Sequence, residues 1–197
     1  MPPKAKIHKQ DILDKAYELA RTKGISGVNA RAIAKELNCS VQPIFRNFAT
    51  MDELKMELVK KMLDTYHAYV KIDETKEKPY MQMGMGYIHF AKEEPELYKI
   101  LFMSEQKLAP EQFVMLDETY KNVEKYADVT KKLDSLHRMN AKQINDFHTR
   151  VWIFTHGLAT LVATRTCDFT DEQLEELLEE EVMAIRSLDK YSKKNED

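Results

Sequence analysis

The sequence predicts an all-α fold: an N-terminal three-helix head containing a helix-turn-helix, then a larger helical domain. Three observations carry this prediction. Five Gly and six Pro in 197 residues leave few helix breakers. Ala, Leu, Lys, Glu and Met are abundant, and all are good helix formers. No stretch alternates apolar and polar residues as a half-buried strand would.

The elements follow in order. Ile12, Leu13, Ala16, Tyr17, Leu19 and Ala20 recur every three to four residues and mark one face of a first helix. Gly24 and Gly27 bracket the loop that ends it. Asn29 is placed to cap a second, shorter helix with Ala30, Ile33, Ala34 and Leu37 on its stripe. After the turn Asn38-Cys39-Ser40, Ser40 is expected to cap a third helix carrying Ile44, Phe45 and Phe48. Thr50-Met51-Asp52-Glu53 has the T-x-x-E form of a capping box and opens a fourth helix reaching about residue 70.

Residues 71–79 are polar, end in proline and read as a loop. Further helical patterns cover about 80–92, 95–104, 110–132 and 140–166. A second capping-box pattern, Thr170-Asp171-Glu172-Gln173, opens a last helix with Leu174, Leu177, Leu178, Val182, Ile185 and Leu188 on one face. Domain boundaries are expected at 1–50 and 51–197.

Charge separates the two parts. Residues 1–50 carry nine Lys/Arg against four Asp/Glu, and the remainder carries 21 against 29. A basic head on an acidic body points to a polyanion as the head's partner. The stretch "CSVQPIFRNF" makes the expectation specific. Pro43 falls in the first turn of the third helix, where backbone N–H groups have no helical acceptor, so proline forfeits no bond there. A helix tip bearing Ser40, Val41, Gln42 and Pro43 suits a DNA major groove: Gln pairs bidentately with adenine, and Val and Pro lie against a thymine methyl. The preceding helix and turn supply the rest of a helix-turn-helix.

The stretch "ILDKAYELARTKGISGVNARAIAKELNCSVQPIFRNFATMDELK" resembles the DNA-binding head of the TetR/AcrR family of transcriptional repressors. It has the order helix, Gly-containing loop, Arg-x-Ile-Ala, turn with Ser, aromatic-x-x-Phe and a capped helix with Leu. The resemblance implies that Gln42 and Pro43 read bases. Phe45 stands where relatives usually carry a phosphate-contacting Tyr, and Met51 where they usually carry Lys. Arg31, Arg46, Lys55 and backbone N–H groups near Thr50 are then the expected phosphate contacts. The resemblance further implies a cytoplasmic homodimer on a palindromic double-stranded DNA operator, with an effector pocket in the second domain. "VWIFTHGLATLVATR" is similar to a Trp-x-x-x-His-Gly-Leu-Ala pattern of many members. Gly157, Ala159, Ala163, Leu174, Leu178 and Ile185 are the expected dimer contacts. Tyr66, Met85, His89, Phe102, Phe113, Phe147, Trp152 and His156 are the expected pocket residues, and their character implies a small hydrophobic or amphipathic effector.

Two readings stay open beside this one. Asp64-x-x-His67 and Asp134-x-x-His137 each place a carboxylate and an imidazole on one helical face, as in helical-bundle metalloenzymes, although those use Glu. A DNA-binding regulator without any effector is the other. No catalytic triad, Walker loop or dinucleotide fingerprint occurs, so no enzyme and no cofactor are expected. The longest uncharged runs, 151–164 and 79–91, are shorter than the roughly 20 apolar residues of a membrane-spanning helix. Two distant cysteines, Cys39 and Cys167, suit free thiols in a reducing cytosol.

Overall fold

The structure, a computed structural model, describes residues 7–71, 73, 78–103 and 139–188. Among them every regular element is a helix and no strand occurs. The chain divides into two compact units, one of residues 1–65 with 94–109, the other of 66–93 with 110–197. The divisions fall inside the fourth helix, at the Glu93–Glu94 junction and at Ala109–Pro110.

The first unit starts with α1 (Lys9–Lys23), which buries Ile12, Ala16, Leu19 and Ala20. Gly24 ends it with φ of 68°, in the left-handed region that disfavours side chains, and its N–H donates to the Ala20 carbonyl. A 3-10 turn (Ile25–Gly27) leads to α2 (Ala30–Glu36). As predicted, Asn29 caps α2, its side-chain oxygen accepting from the Ala32 N–H at 2.9 Å.

The third helix departs from expectation by one residue. α3 runs Gln42–Asn47 and its cap is Val41, which has helical dihedrals and makes no side-chain capping bond. Asn38 turns the chain left-handed (φ 48°), and the Cys39 N–H donates back to the Ala34 carbonyl. This tight turn leaves Ser40 outside the helix, while the Val41 carbonyl accepts from Ile44 and Phe45. Pro43 still lies in the first turn, so it removes no helical bond.

α4 (Met51–Tyr69) opens with Thr50 Oγ1 accepting from the Glu53 N–H at 3.1 Å. The Glu53 carboxylate accepts from the Ala49 N–H, one residue earlier than a regular capping box requires. Its stripe Leu54, Leu58, Val59 and Met62 is buried. Each such side chain contributes about 1.5–3 kcal/mol on burial.

The first unit is completed by a segment that returns from later in the chain. α6 (Pro95–Tyr98) packs on α1 and passes into a π turn (Lys99–Met103), where a longer α-helix had been expected. Leu97, Tyr98 and Ile100 are buried. Arg21 of α1 donates through Nε and Nη2 to the Glu94 carboxylate, which is itself buried. Two N–H groups facing two carboxylate oxygens form the bidentate geometry that satisfies a buried acid.

The second unit comprises the end of α4, α5 (Pro79–Glu93), α7 (Ala141–Ala163) and α8 (Asp171–Arg186). α5 packs against both α7 and α8, and the latter two also pack on each other. Asn140 with Gln143 and Thr170 with Gln173 form reciprocal capping boxes at the starts of α7 and α8. Two glycines on α5 permit close approaches. A Cβ at Gly84 would lie 2.6 Å from Leu178 Cδ2 of α8, and one at Gly86 would lie 2.2 Å from the Tyr69 carbonyl oxygen. The expected helix over 110–132 lies outside the described residues.

Candidate functional site

On the head, the first turn of α3 stands open to solvent. Ser40, Val41 and Gln42 are exposed and Pro43 is half-buried, while Ile44 on the opposite side is fully buried and anchors the helix. Phe45 is 48% exposed, and Val41, four residues before it, is 37% exposed. Arg31 and Arg46 are exposed, Lys55 is half-buried, and none of the three is held in an ion pair among the described residues. The exposed Thr50 hydroxyl is engaged in capping α4. The surface therefore offers base-reading side chains at a helix tip, flanked by uncommitted cations.

In the second unit a cleft of about 520 Å³, including its mouth, is lined by Tyr66, Val70, Tyr80, Met83, Gly84, Tyr87, His148, Val151, Trp152, Thr155 and Leu178. Several of its polar groups are paired. The Tyr80 hydroxyl lies 3.2 Å from His148 Nδ1, and the Tyr87 hydroxyl 2.9 Å from His156 Nδ1. Thr155 Oγ1 donates to the Val151 carbonyl at 2.8 Å. The His156 ring stacks on Trp152 at 5.1 Å between centroids, and Tyr66 meets Tyr87 edge-on at 6.0 Å. Burial pushes the His148 imidazole down to about 4 and lowers His156 as well, so both rings are neutral near pH 7. Burial raises the Tyr80 phenol far above its ordinary value.

The expected pocket residues are not all brought together. Tyr66 and Trp152 line the cleft. Phe147 is buried with its ring 5.8 Å from Tyr80, and His156 braces Tyr87 and Trp152. Met85 and His89 instead border an open groove with Asp171, whose Oδ2 lies 3.5 Å from His89 Nε2. Phe102 belongs to the other unit, packed on Tyr98, and Phe113 lies outside the described residues. Sequence reading missed Tyr80 and Thr155. The signal was present: positions 80, 83, 84 and 87 on α5, and 148, 151, 152 and 155 on α7, each trace one helical face.

Most of the residues expected at a dimer contact lie in the core of their own unit. Ala159, Ala163, Leu174, Leu178 and Ile185 are all buried within their own unit, and Leu178 walls the cleft. Gly157 alone of the six is exposed, with nothing within 4 Å of a Cβ placed there. Ile153, one turn before it on α7, and Met183 of α8 are each 58% exposed. Asp64 and His67 are exposed on α4, whereas Asp134 and His137 lie outside the described residues. Among the described residues no three His, Cys, Asp or Glu side chains gather as a metal site would require, and no helix is long and apolar enough to cross a membrane.

A helix-turn-helix head joined to a helical unit with its own cleft is the architecture of a DNA-binding regulator. Comparison with known proteins bears on this directly. Residues 12–58 match the profile described as bacterial regulatory proteins, tetR family, and residues 80–185 match the tetracyclin repressor-like C-terminal domain. Together these cover most of the chain, which belongs to the TetR family; it is a DNA-binding transcriptional regulator. No curated protein matches it. Solved structures similar in fold include a TetR-like transcriptional regulator from a Rhodococcus species, with TM-score 0.63 and 15% identity over 95% of this chain and 98% of that one. A TetR family protein from Vibrio parahaemolyticus aligns with TM-score 0.60 and 16% identity over 89% and 96%. One from Mesorhizobium loti gives 0.60 and 16% over 91% and 95%.

Proposed function

We propose that the protein is a cytoplasmic, ligand-responsive repressor that binds a palindromic operator as a homodimer. The observation that carries the reading is the aromatic cleft, because Tyr66 of α4 and Val70 just past its end line it, and α4 is the helix that begins just after α3. An effector pressing on that end of α4 has a continuous helix through which to act on the DNA-reading head. In this reading Gln42 and Pro43 contact base edges, with Val41 and Phe45 against the groove wall. Arg31, Arg46, Lys55 and the backbone near Thr50 hold phosphates. In this reading residues 1–50 read DNA and residues 51–197 serve ligand sensing and dimerisation, although the compact units divide later, inside α4.

Two copies are expected to meet through the face of α7 and α8 that carries Ile153, Gly157 and Met183. Apolar side chains left 58% exposed favour burial against a second copy, and an open glycine lets two helices approach closely. The two-fold axis then sets the spacing of the heads, which two half-sites about one helical turn apart, roughly 34–36 Å, or somewhat wider would match. Selection of binding sites from a random duplex pool, followed by sedimentation of the protein with the selected DNA, tests this reading. Enrichment of an inverted repeat bound by an even number of protomers is the expected outcome. Enrichment of a non-repeated site by a monomer overturns the dimeric reading.

A further inference from the structure

The cleft's wall specifies more than a greasy cavity. Four aromatic rings, Tyr66, Tyr80, Tyr87 and Trp152, line it together with Met83. They offer flat faces and ring edges, which match a flat guest better than a flexible chain. Among the described residues none of the lining side chains is Lys, Arg, Asp or Glu. A carboxylate or an ammonium would lose its hydration there without meeting a counter-charge, and that desolvation is the dominant penalty for a charged guest.

Two of the hydroxyls lining the cleft are paired in the same way. Tyr80 with His148, and Tyr87 with His156, are hydroxyl–imidazole pairs at 3.2 and 2.9 Å. In a neutral imidazole either ring nitrogen can carry the proton. If Nδ1 carries it, imidazole donates to the phenol oxygen and the phenol proton turns to a guest acceptor. If Nδ1 is bare, the phenol donates to it and the phenol oxygen faces a guest donor. Such a pair serves a hydroxyl or a carbonyl without a change of net charge. Burial that holds His148 and His156 neutral keeps this exchange available near pH 7.

We infer that the cleft binds an uncharged, planar aromatic molecule bearing a hydroxyl or carbonyl group, which engages the Tyr80–His148 pair. The inference rests on the effector reading of the cleft and adds the chemical class to it. Trp152 is the chain's only tryptophan, so its fluorescence reports on the cleft alone.

The test titrates the full-length protein at neutral pH with naphthol, naphthalene, naphthoate and a naphthylmethyl trimethylammonium cation, all substituted at the same ring position. Naphthol is expected to bind best. Tyr80→Phe should remove roughly 2- to 12-fold of its affinity, the span of a typical net hydrogen bond, and leave naphthalene binding unchanged. Equal affinity for naphthol and naphthalene in the native protein overturns the hydrogen-bonding part without recourse to any variant. Tightest binding by the cation identifies an aromatic cation cage, and tightest binding by naphthoate identifies an anion site. Either overturns the class and leaves the effector reading standing. If none of the four perturbs Trp152, the inference fails together with the effector reading of this cleft.

Discussion

Arg46 and Gln42 lie four residues apart on α3, and their chemistry predicts different losses on substitution. A guanidinium on a phosphate releases counterions, which contributes about −0.9 per contact to the log–log salt dependence of duplex binding. Arg46→Ala should therefore flatten the salt slope by about that amount for every sequence tested. Gln42→Ala should weaken binding by about 1–3 kcal/mol at one base position per half-site and leave non-specific binding alone. Fluorescence anisotropy across a salt series and a panel of single-base variants separates the two. Uniform weakening of all sequences by Gln42→Ala removes it from the base-reading set.

His148 makes a second prediction at this scale. Its folded-state value of about 4 lies below the ordinary 6.5, so the unfolded chain binds more protons between these values. The stability this group contributes is complete above about pH 6.5 and is lost as pH falls towards 4, up to about 3 kcal/mol. His156 acts in the same direction. Thermal unfolding at about pH 7.5 and about pH 5 should show a smaller loss in His148→Gln than in the native chain. An equal loss in both places the acid sensitivity elsewhere.

At the level of elements, α7 and α8 each present two faces with different duties. One face holds Ala159, Ala163, Leu174 and Leu178 in the core of its own unit, so a charge at Ala163 would unfold that unit and report nothing about assembly. The informative substitutions are on the other face. Ile153→Asp combined with Met183→Asp should give a folded monomer with unchanged helical content and weakened operator binding. Analytical ultracentrifugation beside circular dichroism decides it, and a dimer that persists places the interface outside this face. α8 also depends on its start: Thr170→Ala removes the acceptor for the Gln173 N–H and should lower stability by about 1 kcal/mol. Chemical denaturation measures that loss directly.

For the whole molecule, linkage sets a condition on the proposed switch. If an effector weakens operator binding by some factor, operator must weaken effector binding by the same factor, typically about 5- to 150-fold. Calorimetric titration of a cleft ligand with and without selected operator measures it. Equal affinities would show that this cleft does not govern DNA binding. Gly86 offers a structural handle on the same question, because a Cβ there would strike the Tyr69 carbonyl at the end of α4. Gly86→Ala should displace that turn at a cost of about 1–3 kcal/mol, and its operator affinity should then answer less to the ligand.

The sequence by itself determined the helices, most of their caps and the exposed tip of α3, because these depend on periodicity and on side chains within four residues of the backbone groups they satisfy. Asn29, Asn140 and Thr170 are of this local kind. Even the one-residue slip at Ser40 arose from a local turn that spacing alone does not resolve. Tertiary structure alone decided which partner covers each stripe. Ala163 and Leu174 carry the same apolar signal whether they face their own core or a second copy, and only long-range packing made them core and left Ile153 and Met183 outside. The same holds for the cleft, where Tyr66, Tyr87 and Trp152 come from three separate helices. It holds again for the return of α6 to the first unit, anchored by Arg21 on Glu94 across 73 positions of sequence. Periodicity fixes the face a residue shares; it carries no information about what that face will meet.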